Sequence, residues 1–166
     1  MNRPALPVLL AAGLAAAAAT AAPAGAEERT CRGSIGRVTV DNLRVPPGAT
    51  CTLNGTRVQG TVKVESTATL RAARIRVIGN VQAENHRRVN LRMSRIGGSV
   101  QIEQGRGSRL TGNRVNGDVQ YFTNSGRIRI RSNRIGGNLQ CKENRPAPRG
   151  GANVVQGNKE DQCRRL

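Results

Sequence analysis

A glycine recurs along this chain at nearly constant spacing: Gly79, Gly98, Gly117 and Gly137 lie 19, 19 and 20 residues apart. Each sits in a near-copy of one segment: Val77-Ile78-Gly79-Asn80-Val81-Gln82, Ile96-Gly97-Gly98-Ser99-Val100-Gln101, Val115-Asn116-Gly117-Asp118-Val119-Gln120 and Ile135-Gly136-Gly137-Asn138-Leu139-Gln140. Self-similarity at such a period marks an architecture in which one small unit stacks on the next. The same ruler reaches back to Gly60, followed by Thr61-Val62-Lys63-Val64, and forward to Gly157. Asp41-Asn42-Leu43-Arg44-Val45 fits one step earlier. The repeat therefore covers residues 41–157 in about six coils, leaving 27–40 as an N-terminal cap segment and 158–166 as a C-terminal cap or tail.

Within a coil, the second and fourth residues after the glycine are apolar, as in Val81 and Ala83 or Val100 and Ile102. That alternation predicts a strand with one buried face. A second alternation follows, at Leu70 and Ala72, Val89 and Leu91, Ser108 and Leu110, and Ile128 and Ile130. A third apolar site precedes the next glycine, at Val77, Ile96, Val115 and Ile135. Three short strands per coil, joined at Gly-rich and Asn-rich corners, describe an all-β, three-sided parallel β-helix. Tyr121 and Phe122 are the only aromatic residues, which suits a thin repetitive core better than a compact globule. The hexapeptide period of left-handed β-helices and the leucine-rich pattern are both absent.

These repeats resemble the right-handed parallel β-helix proteins and, more loosely, the polymer-forming bactofilin-type solenoids. The Gly-x-Val-Gln turn is also similar to that of secreted proteins from GC-rich bacteria. The resemblance covers the repeats alone and brings no catalytic motif to positions here. It implies a right-handed β-solenoid and makes self-assembly a possibility.

The N-terminus has Arg3, an apolar run from Leu9 to Ala22 and the small triplet Ala24-Gly25-Ala26 before two glutamates. This predicts a signal peptide over residues 1–26. No second stretch approaches the roughly 20 apolar residues of a membrane helix, so a secreted protein is expected, extracellular or periplasmic. In an exported chain, four cysteines predict disulfides rather than a metal site. Cys31 and Cys51 are one coil apart, and Cys141 and Cys163 are close to a coil apart. Stacking brings both pairs within bonding range, stapling the first and last turns.

Lys and Arg number 27 against 10 Asp and Glu, for a net charge of +17. A negatively charged partner follows, unless the arginines only mirror a GC-rich genome. Equivalent positions in a solenoid form ladders. The residue before the third apolar site is Arg57, Arg76, Arg95, Arg114 or Arg134, which predicts a row of guanidinium groups suited to a polyanion. The competing reading has them splay into solvent and pair with nearby acids. Lys63, Gln82, Gln101, Gln120 and Gln140 predict an amide column that ties the coils together. Glu65, Glu84 and Glu103 form a third row, which neighbouring cations neutralise or a divalent ion fills.

His86, the only histidine, is expected at a corner beside Arg87 and Arg88, with no nucleophile for a triad. The run Arg145-Pro146-Ala147-Pro148-Arg149-Gly150-Gly151 reads as a turn excursion. The expectation is a non-catalytic module without cofactor, metal or catalytic residues, either structural or binding an anionic polymer. Teichoic acid, lipopolysaccharide and acidic polysaccharide are the natural candidates, with nucleic acid bound only non-specifically. The alternative is a lyase or hydrolase acting on an acidic glycan, by analogy of fold.

Overall fold

The computed structural model describes residues 27–166, so the expected signal peptide lies outside the described residues. Short apolar-polar alternations broken by Gly, Asn and Ser leave no run long enough for an amphipathic helix. They form strands of two to five residues, all paired in parallel. Each turn gives one strand to each of three sheets. In a central turn these are Val81–Glu84 in the first sheet, Arg88–Arg92 in the second and Arg95–Ile96 in the third. The first sheet has eight strands and the others seven, making a three-sided parallel β-solenoid of about seven turns. At roughly 4.8 Å per turn its stack is about 34 Å long.

The core is a set of columns. Val62, Val81, Val100, Val119 and Leu139 are register partners on the first sheet, each with no exposed surface. Leu70, Val89, Ser108 and Ile128 stack on the second, and Val58, Val77, Ile96, Val115 and Ile135 on the third. Tyr121 is the one phenol ring among these core columns. Its hydroxyl lies 3.0 Å from Ser108 Oγ, so the small serine makes room for the ring and satisfies it. Burial pushes the phenol pKa up, so Tyr121 stays protonated.

The ends differ from expectation. Residues 27–40 are a coil of their own: Glu28–Thr30, Ser34–Ile35 and Thr39–Val40 pair onto the next turn. Glu28 meets Asn42 only fourteen residues on, so a nineteen-residue ruler steps over this turn and counts six coils. Residues 158–166 carry Lys159–Asp161, an eighth strand of the first sheet. The run 145–151 is no excursion, because Arg149–Gly151 pairs with the second sheet in the same twenty-residue register as the turn before. Both expected disulfides form, Cys31–Cys51 with Cα atoms 5.5 Å apart and Cys141–Cys163 with Cα atoms 5.3 Å apart. Such bridges accord with an oxidising compartment.

The periodic glycine answers to crowding. Gly79 N–H donates to the Gly60 carbonyl at 3.0 Å, and a Cβ on Gly79 would stand 2.7 Å from that oxygen. Left-handed backbone occurs elsewhere, mostly without glycine: Thr67, Asn85, Gln104, Thr123 and Glu143 hold φ of 57°, 51°, 51°, 56° and 58° at the corner between the first and second sheets. Thr67 and Thr123 are the costly members, since a β-branched side chain fits that region poorly.

Two buried side-chain ladders line the inner corners of the later turns. Between the second and third sheets, Asn113 Nδ2 donates to Asn133 Oδ1 and Asn133 Nδ2 to Asn153 Oδ1. Between the first and second, Asn124 Nδ2 donates to Asn144 Oδ1 and Asn144 Nδ2 to Gln162 Oε1. Each asparagine also bonds backbone of neighbouring coils, so the groups a tight corner leaves unpaired are satisfied.

Candidate anion-binding surface

The expected arginine ladder is present. Arg57, Arg76, Arg95, Arg114 and Arg134 are successive register partners, each exposed, bounded by Thr39 at one end and Val154 at the other. Each sits beside a buried Val or Ile of the two-residue third-sheet strand. The alternation that buries the apolar residue turns the arginine outward.

The second sheet adds a column that the repeat analysis passed over. Arg71, Asn90, Arg109, Arg129 and Arg149 are register partners along its middle outward position. Arg88, Arg92 and Arg131 stand at the strand ends. The signal was available, because each central member falls between the paired apolar residues of the second alternation.

The acidic residues lie elsewhere. Among the described residues, no strand of the second or third sheet contains Asp or Glu. Every ion pair among the described residues belongs to the first sheet: Arg44 Nε stands 2.9 Å from Glu65 and 3.9 Å from Glu28, and Lys63 stands 4.0 Å from Glu65. The hydrogen bond from Arg44 holds the Glu65 carboxyl below its usual range, against an opposing effect of desolvation. Of the three stacked glutamates, Glu65 is therefore neutralised, while Glu84 and Glu103 are register partners without an ion pair. The third-sheet arginines do not pair with nearby acids, as the competing reading had them do.

The first sheet satisfies itself in another way. Gln82 Nε2 donates to Gln101 Oε1 at 2.8 Å, Gln101 to Gln120 at 3.1 Å, Gln120 to Gln140 at 2.8 Å, and Gln140 to Glu160 at 2.8 Å. The column expected from the sequence is thus an unbroken chain of hydrogen bonds from Gln82 to Glu160, which Lys63, its first expected member, does not join.

His86 lies at the corner where it was expected, with its ring buried in the interior, and neither ring nitrogen has a hydrogen-bond partner. Its ring occupies the space a side chain on Gly105 would need. Burial pushes its pKa down to about 4.

Like charges in register repel, and here no carboxylate relieves them. Guanidinium forks left free in rows at strand spacing can each grip an oxyanion through two N–H groups. No family model, curated protein or solved structure matches the chain.

Proposed function

We propose that this is a secreted, non-catalytic β-solenoid that binds an anionic envelope or extracellular polymer through its arginine-bearing second and third sheets. The observation that carries this reading is the segregation of charge. Two of three faces hold arginines in register with no carboxylate, while the ion pairs gather on the remaining face. Teichoic acid, lipopolysaccharide and acidic polysaccharide all offer the repeated anions that such rows would match. Nucleic acid would bind for the same reason, without sequence preference. We read the winding as right-handed, the hand that crossover connections between parallel strands prefer. An enzyme on an acidic glycan is less well supported, since the one histidine is buried with a depressed pKa.

The test replaces Arg95 and Arg114 with glutamine and measures binding to lipoteichoic acid, lipopolysaccharide and polygalacturonate at low and physiological salt. Wild-type affinity should fall steeply with salt, and the double variant should bind at least one polymer about tenfold more weakly. Its stability should stay equal or rise by about 0.5 kcal/mol as repulsion eases. Unchanged binding to every polymer the wild type retains would remove the ladder from the reading.

A further inference from the structure

The groove over the third sheet is lined by one arginine row and Arg74, whereas the cleft over the second sheet gathers arginines from several positions of the coil. This cleft, of about 880 Å³, opens over the later turns of that sheet, lined by Arg88, Arg106, Arg109, Arg127, Arg129 and Arg149. These residues come from three sources: the corner leading into the sheet, the first position of its strands and the middle outward column. Gly107 lies between them. It is the register partner of Arg88 and carries no side chain, so the floor there is bare backbone. Gly126, which also lines the cleft, cannot be anything larger, because a Cβ would collide with the Arg106 carbonyl oxygen. Pro146 and Ala147, from the next turn, contribute to the wall.

A polymer lying along one column meets one arginine per coil. An anion seated over Gly107 meets arginines from several columns at once. That arrangement suits a tetrahedral oxyanion, whose oxygens point in several directions, better than a planar carboxylate, whose acceptors all lie in one plane and match a single guanidinium fork. No ion pair engages any of these arginines among the described residues, so their donors remain available.

We infer that this cleft is a distinct site for a compact group bearing two or more phosphates. The inference rests on the polyanion reading of the arginine faces and goes further by separating a shaped site from a charged row. Such a group is chemically a clustered phosphate ester or diphosphate, presented at one point of a larger ligand instead of along its length.

Two variants of the full mature chain separate shape from charge. Arg109→Gln with Arg129→Gln removes two walls. Gly107→Leu fills the floor and leaves every charge in place; its Cβ would meet nothing closer than the Arg127 carbonyl oxygen at 3.8 Å, so the backbone there has room for a side chain. Inorganic tripolyphosphate is titrated into each by calorimetry at physiological salt, with citrate as the carboxylate probe and melting temperature as the folding control. The wild type should bind tripolyphosphate at least tenfold more tightly than citrate. The Arg109 and Arg129 pair should weaken tripolyphosphate by about a hundredfold, about tenfold per lost charged hydrogen bond, and Gly107→Leu by about tenfold or more. The Arg95 and Arg114 pair should change it by less than about threefold, because those residues lie on the other face. Equal losses from both arginine pairs, full binding by a folded Gly107→Leu, or citrate binding as tightly as tripolyphosphate would overturn the site. None of those results bears on long polymers. Loss of polymer binding in the Arg95 and Arg114 pair would stand alone as support for the broader reading, and its absence would count against that reading alone.

Discussion

The turns after Asn113 and the turns before it round the same inner corners with different chemistry. In the later turns Asn113, Asn133 and Asn153 occupy one corner, and Asn124, Asn144 and Gln162 the other, each amide bonded to the next. In the earlier turns the first corner passes from Ser94 through Ile75 to Thr56, which donates to Ile35 and Gly36 carbonyls. Its loss is gradual, since Ser94 N–H still reaches Asn113 Oδ1 and Ser94 Oγ accepts from Ile75 N–H. At the other corner the ladder stops abruptly, with Gly105 and then His86. An amide ladder is a chain of mutual dependence. A residue without an acceptor ends it and leaves the next one stranded, which is the position of His86.

The strongest way to break this contrast is at its middle. Asn133 accepts two bonds from Asn113 and donates to Leu110 O and Asn153 Oδ1, all buried. Asn133→Ala strands those partners and should lower unfolding stability by about 4 kcal/mol in denaturant titration, whereas Thr56→Val should lower it by about 1 kcal/mol. Equal losses would mean that the two halves do not differ in kind.

Acid offers a second approach. His86 has a folded pKa of about 4, below its unfolded value, so the unfolded state takes up a proton first as pH falls. Stability should be whole above about pH 6.5 and decline as pH falls towards 4, by an amount on the order of 3 kcal/mol. His86→Asn, which restores an amide to the ladder position, should remove that limb of the stability curve. Persistence of the limb in this variant would assign it to carboxylates.

The smallest expected effect concerns a feature the two halves share. Thr67 and Thr123 both hold left-handed backbone at the corner between the first and second sheets. Replacing either with Asn should raise stability by about 0.5 to 1 kcal/mol in thermal melts. Unequal gains would place part of the difference between the halves in backbone strain instead of in the ladders.

The ruler of glycines made most of this legible in advance. Once Gly60 to Gly157 were aligned, the register of Val62 to Leu139, the arginines from Arg57 to Arg134, the glutamine column and both cysteine pairs followed from position alone. What escaped it has particular causes. The first turn is shorter than the repeat, so Glu28 and Asn42 fall out of step with it. His86 was expected at its corner, but its burial was not legible, because the neighbouring arginines gave no sign that the ring turns inward. Arg109 and Arg129 were in plain view between apolar partners, yet the cleft depends on Gly107 and Gly126 lying between their neighbours, and a missing side chain leaves no mark in a pattern of charges.

The glutamine column on the first sheet also has a polarity. Every amide donates its N–H towards the C-terminal turns, so the side-chain dipoles add from Gln82 to Gln140. The oxygen left over at the start lies next to the register position of Lys63, a cation. The N–H left over at the end meets Glu160, an anion. Charge at each end opposes the dipole it faces, the same complement that acidic and basic residues give to the two ends of an α-helix. A stack of flat side chains thus behaves electrically as a short rod with its own caps, and exchanging Lys63 and Glu160 would set both caps against it.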